Sequence, residues 1–228
     1  PWSTVFKTLS LSGNNAKLYV ETQASTAKGK GETRLVARLL DAKGKAVAQK
    51  NLTTNTQGAA SAQFDVANAK AWSPEQPHLY TLEINLYQGN KLVDRLRQRV
   101  GIRTIAVSKE HGFQLNGVSR KFKGVCLHHD LGPLGAAVNK AAIIRQIRLM
   151  KDMGVDAIRT SHNMPSQMQM EVCDSMGMMV MAESFDAWKE AKVKNGYNLF
   201  YDTWWRKDLE NLIKGHRNHP AIVMWSIG

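Results

Sequence analysis

The hydrophobic period of this chain changes once, near residue 121, and that change limits the folds open to it. From Ser3 to Arg103, apolar and polar residues alternate in short runs broken by turn residues. This period of two belongs to strands with one buried face. Candidate strands are Ala16–Thr26, Thr33–Leu40, Ala46–Leu52, Ala60–Val66, Leu79–Tyr87 and Leu92–Val100. They are separated by Gly13-Asn14-Asn15, Lys28-Gly29-Lys30-Gly31, Asp41-Ala42-Lys43-Gly44 and Gln88-Gly89-Asn90. Strands recurring about every 8–12 residues predict an antiparallel sandwich of immunoglobulin type.

Beyond residue 121, continuous apolar runs alternate with runs of helical period. Phe122–Leu127, Val155–Thr160, Met178–Glu183 and Ile222–Ile227 read as strands. Asn139–Met153 repeats Ile143, Ile144, Ile147, Met150 and Met153 at three- and four-residue steps and stops at Gly154. Ser166–Met176 follows Pro165 and ends at Gly177; Tyr201–Lys214 carries Trp205, Leu209, Leu212 and Ile213 on one face and ends at Gly215. Both read as helices with glycine stops. Four strands alternating with three helices predict a parallel sheet wound in βαβ units. A whole (β/α)8 barrel takes about 250 residues and roughly 120 remain, so the expectation is half of one. The fold expected is multidomain, β plus α/β: an immunoglobulin-like β-sandwich over 1–105, then a truncated TIM barrel over 106–228. Gly112–Val118, with an Asn116-Gly117 turn between alternating residues, reads as a linking hairpin and not as a site.

The formal charge of +12 raises the question of a nucleic-acid surface. Residues 1–105 carry 15 Lys/Arg against 7 Asp/Glu, and residues 106–228 carry 16 against 12. The excess falls at alternate strand positions and in turns, as at Lys91, Arg95, Arg97 and Arg99. Alternation puts such residues on one face, and without interleaved aromatic residues the expectation is a solvated sheet face, with a polyanion-binding surface as the alternative. Cys126 and Cys173 are too few for a disulfide framework and are expected to be small buried core residues. No apolar run reaches the length of a membrane span. Residue 1 is Pro, so the native start is expected upstream, which leaves a periplasmic or secreted location open.

Ligands of (β/α)8 barrels meet the loops at the carboxyl ends of the strands. Each of the four strands here delivers polar residues to that end: His128-His129-Asp130, Arg159 to Asn163, Glu183 to Trp188, and Ser226. Arg can brace a carboxylate through paired hydrogen bonds, and imidazole can bridge sugar hydroxyls. A His pair after an apolar strand is either a metal site or a hydrogen-bonded loop feature. Glu183 and Asp186 lie in one loop, whereas a retaining glycosidase needs two carboxylates about 5–5.5 Å apart across the scissile bond. Positions so close in one loop rarely straddle a sugar that way; a salt-bridged core Glu is one reading, and the other, that both organise the pocket, is what the family resemblance given next implies. No phosphate-binding loop, HExxH motif or nucleophile elbow is present.

The segment His216-Arg217-Asn218-His219-Pro220-Ala221-Ile222-Val223-Met224-Trp225-Ser226-Ile227-Gly228 closely resembles the fourth barrel strand of family 2 glycoside hydrolases, the β-galactosidase and β-glucuronidase group. Ile158-Arg159-Thr160-Ser161-His162, Glu183-Ser184-Phe185-Asp186-Ala187-Trp188 and Trp72-Ser73-Pro74-Glu75-Gln76-Pro77-His78-Leu79-Tyr80 resemble further strings of that family. Gly124-Val125 with His128 resembles its first strand, although Cys126 replaces the usual Asn and Leu127 the frequent Arg. The resemblance implies a retaining exo-β-glycosidase, β-galactosides being favoured and β-glucuronides the alternative. It implies that His128, His162, Asn163, Glu183, Asp186 and Trp188 bind substrate and that Arg159 supports the nucleophile. In the family the fourth strand is followed at once by Asn-Glu. The acid/base Glu is therefore expected just past Gly228, the nucleophile further on, and this polypeptide by itself inactive.

No cofactor is expected, and Mg or Na would be a feature of the intact enzyme only. The expected partner is a β-linked sugar or oligosaccharide, with no nucleic acid and no membrane, and with self-association through exposed half-barrel edges. A non-catalytic carbohydrate-binding module is the rival. It needs an exposed aromatic strip, and of the candidates Trp2, Phe6, Tyr19, Phe64, Trp72, Tyr80 and Tyr87 most sit at positions better suited to a core.

Overall fold

A computed structural model describes residues 2–24, 33–54 and 59–228. They form two compact units, one running to Ser119 and the other starting at Arg120.

The first unit holds seven antiparallel strands: β1 (Val5–Ser12), β2 (Asn15–Gln23), β3 (Thr33–Leu40), β4 (Ala46–Thr54), β5 (Ala59–Val66), β6 (Tyr80–Gln88) and β7 (Lys91–Val100). Their order is β1-β2-β5-β4-β3-β6-β7. Among the described residues, strands β4 and β5 join only at Thr53–Ser61 and Thr54–Ala60. The sheet therefore folds over at that seam into two layers, β1-β2-β5 and β4-β3-β6-β7. Alternate residues of both layers, among them Leu18, Val20, Leu39, Phe64, Leu82 and Ile84, fill one core. Trp72 is fully buried, with its N–H on the Ile102 carbonyl at 2.8 Å and its own carbonyl accepting from Asn116. Phe6, Phe64, Trp72 and Tyr80 are buried and Tyr19 and Tyr87 half-buried, so of the seven candidates Trp2 alone is exposed, and one ring does not make the strip a binding module needs.

Strand β1 was not among the candidate strands. A bulge between Thr8 and Ser10 breaks its alternation, and Leu9 consequently points outward. Strand β2 ends at Gln23, and the expected break at Lys28–Gly31 lies outside the described residues. Three short strands follow, β8 (Ile105–Ser108), β9 (Gly112–Leu115) and β10 (Val118–Ser119). The expected hairpin turn has positive φ at both Asn116 and Gly117, as a type I′ turn requires.

In the second unit β11 (Gly124–Cys126), β12 (Ala157–Arg159), β13 (Met179–Glu183) and β14 (Ile222–Ser226) form a parallel sheet in that order. Helices α1 (Lys140–Asp152), α2 (Gln167–Met176) and α3 (Tyr201–His216) connect them, apart from short irregular segments. The Asn139 side chain caps α1, Ser166 caps α2, and Gly177 ends α2 in the left-handed region. Gly215 does not stop α3. The helix runs on to His216, because Leu212 and His216 are buried there and outweigh the ~1 kcal/mol cost of an interior glycine. Trp205 and Ile213, expected on the packed face, are 40% and 41% exposed. No helix among the described residues is long and apolar enough to cross a membrane.

Candidate functional site

The register of the parallel sheet decides which side chains meet. Cys126, Arg159, Met181 and Met224 share one row across β11, β12, β13 and β14, and one layer further along Glu183 faces Ser226. In-register residues of parallel strands project to the same side. The lower row lines a cavity of about 220 Å³.

Glu183 is the centre of the upper layer. Its side chain is fully buried, yet each oxygen is taken. Arg159 donates Nε–H to Oε2 at 2.6 Å and Nη2–H to Oε1 at 2.9 Å. His162 Nδ1 lies 2.6 Å from Oε1, and the Ser226 hydroxyl donates to Oε2 at 2.8 Å. The Glu183 backbone N–H bonds Thr160 Oγ1. Burial pushes the Glu183 carboxyl up, but the bonds from Arg159, His162 and Ser226 outweigh it and hold the group below the ordinary carboxylate range. An ionised carboxylate only accepts, so the short contact puts a proton on His162 Nδ1, with Arg159 Nη2 3.3 Å from the same nitrogen, and leaves Nε2 as the ring nitrogen outside this cluster. The peptide between Ser161 and His162 is cis.

Of the residues singled out from sequence, Arg159, His162 and Glu183 are therefore bonded to one another. His128 joins them edge-on, its ring centroid 5.5 Å from that of His162. Asn163 is exposed and, with His128, borders a second, narrow cavity between the loops after β11 and β12. Trp188 stands at the rim, 42% exposed, with its indole N–H on the Ile227 carbonyl at 3.0 Å and its ring stacked on Tyr201. Asp186 is not on the floor. Its carboxylate is exposed and paired with Lys192 at 3.2 Å, because its loop has already turned away from the sheet. Cys126, expected in the core, is exposed beside Arg159 Nη1 at 3.7 Å; Cys173 is buried as expected.

The Glu183 oxygens are occupied by Arg159, His162 and Ser226, Asp186 is held elsewhere, and no cluster of three potential ligands occurs among the described residues.

Sequence reasoning passed over the support behind β14. Asp174 of α2, 2% exposed, bonds His219 Nδ1 at 2.5 Å and accepts the Ala221 N–H at 3.0 Å, while Gln167 meets the other His219 nitrogen. This pins the start of β14 and hence Ser226. The only available signal was a lone Asp on the buried side of a helical pattern.

Residues 3–103 match the family model for glycosyl hydrolases family 2, and residues 105–228 match that family's TIM barrel domain. The chain belongs to this family. It is 39% identical to the β-galactosidase BoGH2A of Bacteroides ovatus, an alignment covering all of this chain and 27% of that protein. The β-glucuronidase of Homo sapiens is 33% identical, with 89% of this chain and 31% of the enzyme covered. Among solved structures, a family 2 member from Bacteroides cellulosilyticus superimposes with a TM-score of 0.93 at 38% identity, over the whole of this chain and 30% of that one. The chain thus spans about a third or less of the length of these relatives.

Proposed function

We propose that this chain is the sandwich and first half-barrel of a retaining exo-β-glycosidase acting on terminal β-D-galactosides. The observation that carries the reading is the Arg159–His162–Glu183–Ser226 cluster at the carboxyl ends of three adjacent parallel strands. A buried, ionised carboxylate with every bond filled makes a poor proton donor. Glu183 accordingly acts as an organiser: it orients His162 toward a sugar hydroxyl and holds Arg159 in place to steady a nucleophile brought by sequence beyond Gly228. His128, Asn163 and Trp188 complete the sugar contacts at the rim, and Asp186 has at most an outer role.

In the mechanism proposed, a protonated Glu donates to the departing oxygen and a second Glu attacks the anomeric carbon. Water then releases the sugar with retention. Both carboxylates are assigned to sequence following Gly228, and the 228-residue chain alone is inactive. The galactoside assignment is supported by the relative at 39% identity across the whole chain. The glucuronide reading is the second, supported by the human relative.

The test is hydrolysis by the full reading frame that contains this segment. 4-Nitrophenyl β-D-galactoside should turn over faster than the β-D-glucuronide, with retained configuration at the anomeric carbon. Inverted product would overturn the mechanism, and preference for the glucuronide would move the assignment to the second reading. Turnover by the 228-residue chain alone, above a no-protein control, would contradict its inactivity.

A further inference from the structure

The outward face of the β4-β3-β6-β7 layer is cationic and built around a buried carboxylate. The register sets Arg34 opposite Tyr87, Arg38 opposite Glu83 and Glu83 opposite Arg97, with Asn85 opposite Arg95 and Thr81 opposite Arg99. Their neighbours along each strand point into the core, so all five arginines share the outer face. Glu83 is fully buried. Arg38 Nη1 reaches its Oε1 at 2.8 Å, Arg97 Nε reaches Oε2 at 2.8 Å, and Arg95 Nε bonds the Asn85 amide oxygen at 3.0 Å. Asn85 Nδ2 in turn donates to Glu83.

One carboxylate cannot neutralise this array. Three guanidinium groups gather on Glu83 and its Asn85 neighbour, and Arg34 and Arg99 add two more charges. Among the described residues, Glu83 is the sole acidic group at the outward positions of β3, β6 and β7. A single cation would pair the carboxylate; further like charges repel one another and add little stability by themselves. The side chains so anchored remain 34% (Arg38), 42% (Arg95) and 58% (Arg97) exposed, although Arg38 Nε itself is buried. Their unused N–H donors are thus held in place before any ligand arrives, which removes much of the ordering cost of binding.

We propose that this sheet face binds an anionic polysaccharide, one bearing carboxylate or sulfate groups along its chain. Single-stranded nucleic acid is the less fitting polyanion. Tyr87 is the aromatic ring of this face, and the Arg34 guanidinium covers it at 4.5 Å, leaving no platform for bases. The choice of a carbohydrate polymer rests on the glycosidase reading above; the cationic face does not.

Affinity electrophoresis of the 228-residue chain tests both parts. In gels containing polygalacturonate the protein should be retarded relative to gels containing neutral dextran, and the retardation should fade as salt is raised. Arg95→Gln/Arg99→Gln should weaken binding about tenfold. Lys7→Gln/Lys17→Gln, which removes the same charge from exposed positions of β1 and β2, should leave it unchanged. If the Arg95 substitution lowers the melting temperature, Arg99→Gln alone, which breaks no bond to Glu83, should still weaken retention. Equal losses in the two double variants, or no retardation at low salt, would overturn the site. Tighter retention by single-stranded DNA than by polygalacturonate would overturn the choice of glycan while leaving the glycosidase reading untouched.

Discussion

Arg159 holds Glu183 from the neighbouring parallel strand with two separate N–H donors, at 2.6 Å and 2.9 Å. Because Glu183 is fully buried and Arg159 only partly so, the pair is asymmetric. Removing the arginine leaves a carboxylate shut off from water with the His162 and Ser226 bonds but without its guanidinium partner.

Arg159→Ala should therefore destabilise the chain by roughly 3 kcal/mol, since breaking a buried pair leaves its partner uncompensated. Glu183→Gln should cost less, because the amide retains an acceptor for Ser226 and places no unpaired charge in the interior. Urea unfolding of the two variants checks the order. A smaller loss for Arg159→Ala than for Glu183→Gln would contradict the asymmetry.

That pairing marks the limit of what could be read in advance. Arg159, His162 and Glu183 stood out because each follows an apolar strand, and strand ends are where barrels present polar groups. A salt-bridged Glu183 was one of the two readings and is what the structure shows, but Arg159 as its partner was not legible, because that depends on strand register and not on spacing along the chain. Asp186 shows the converse: three residues from Glu183 in sequence, it points elsewhere because its loop has left the sheet. The glycine stops at Gly154 and Gly177 were legible, as was the Asn116-Gly117 turn, since each is a local matter of backbone freedom; the side-chain caps at Asn139 and Ser166 were not singled out. Strand β1 escaped because a bulge interrupts its period.

His216 makes stability depend on pH. It is 5% exposed with its ring 5.6 Å from that of His219, and burial, then the neighbouring His219 charge, lower its pKa to about 4. Once pH drops below the ordinary value of 6.5, the unfolded chain takes up a proton that the folded chain refuses. Stability from this group is thus complete above that value and declines as pH falls toward 4, by on the order of 3 kcal/mol in all. Glu183 and Glu83 have carboxyls held low, so their contributions are lost at more acid pH, as it falls through their folded values. His216→Gln should flatten the His216 window and leave the more acid loss. Urea midpoints near pH 7 and near pH 5 for both proteins decide it, and an unchanged slope in the variant would refute the assignment.

The two thiols should behave oppositely. The Ser161 hydroxyl and the Arg159 guanidinium beside Cys126 hold its thiol below the usual range, and the residue is exposed. Burial pushes the Cys173 thiol up. A thiolate is the reactive form, so Ellman's reagent should titrate one thiol per folded chain promptly and the second only in denaturant. Cys126→Ser should abolish the prompt phase; its persistence would mean that Cys173 is reached without unfolding.

Asp174 should govern the order of β14. Its two oxygens hold the His219 ring and the Ala221 N–H. Next to that anchor, the Val180 N–H bonds the Ala221 carbonyl at 2.8 Å, the contact that seats β14 beside β13. Asp174→Ala would leave a buried donor and a buried ring nitrogen without partners, at a cost of roughly 3 kcal/mol. The loss should also be local. Hydrogen exchange at Val180 and along β14 should accelerate beyond that in the sandwich, which keeps its own core. A uniform acceleration across both units would show that Asp174 contributes only to global stability.

Self-association should follow from the edges of the parallel sheet. Among the described residues, strands β11 and β14 each pair on one side only, and Met224 and Trp225 of β14, with Phe122 just before β11 and Ile227 just after β14, are 37–50% exposed. Unpaired strand edges next to exposed apolar side chains favour pairing between copies. Light scattering over rising concentration should give a growing mean mass. Trp225→Lys, at the edge of β14 and outside the Glu183 cluster, should reduce the growth by placing a charge where a second strand would add. A monodisperse monomer at high concentration would exclude the edges as a contact surface. Undiminished association in Trp225→Lys would move the contact away from β14.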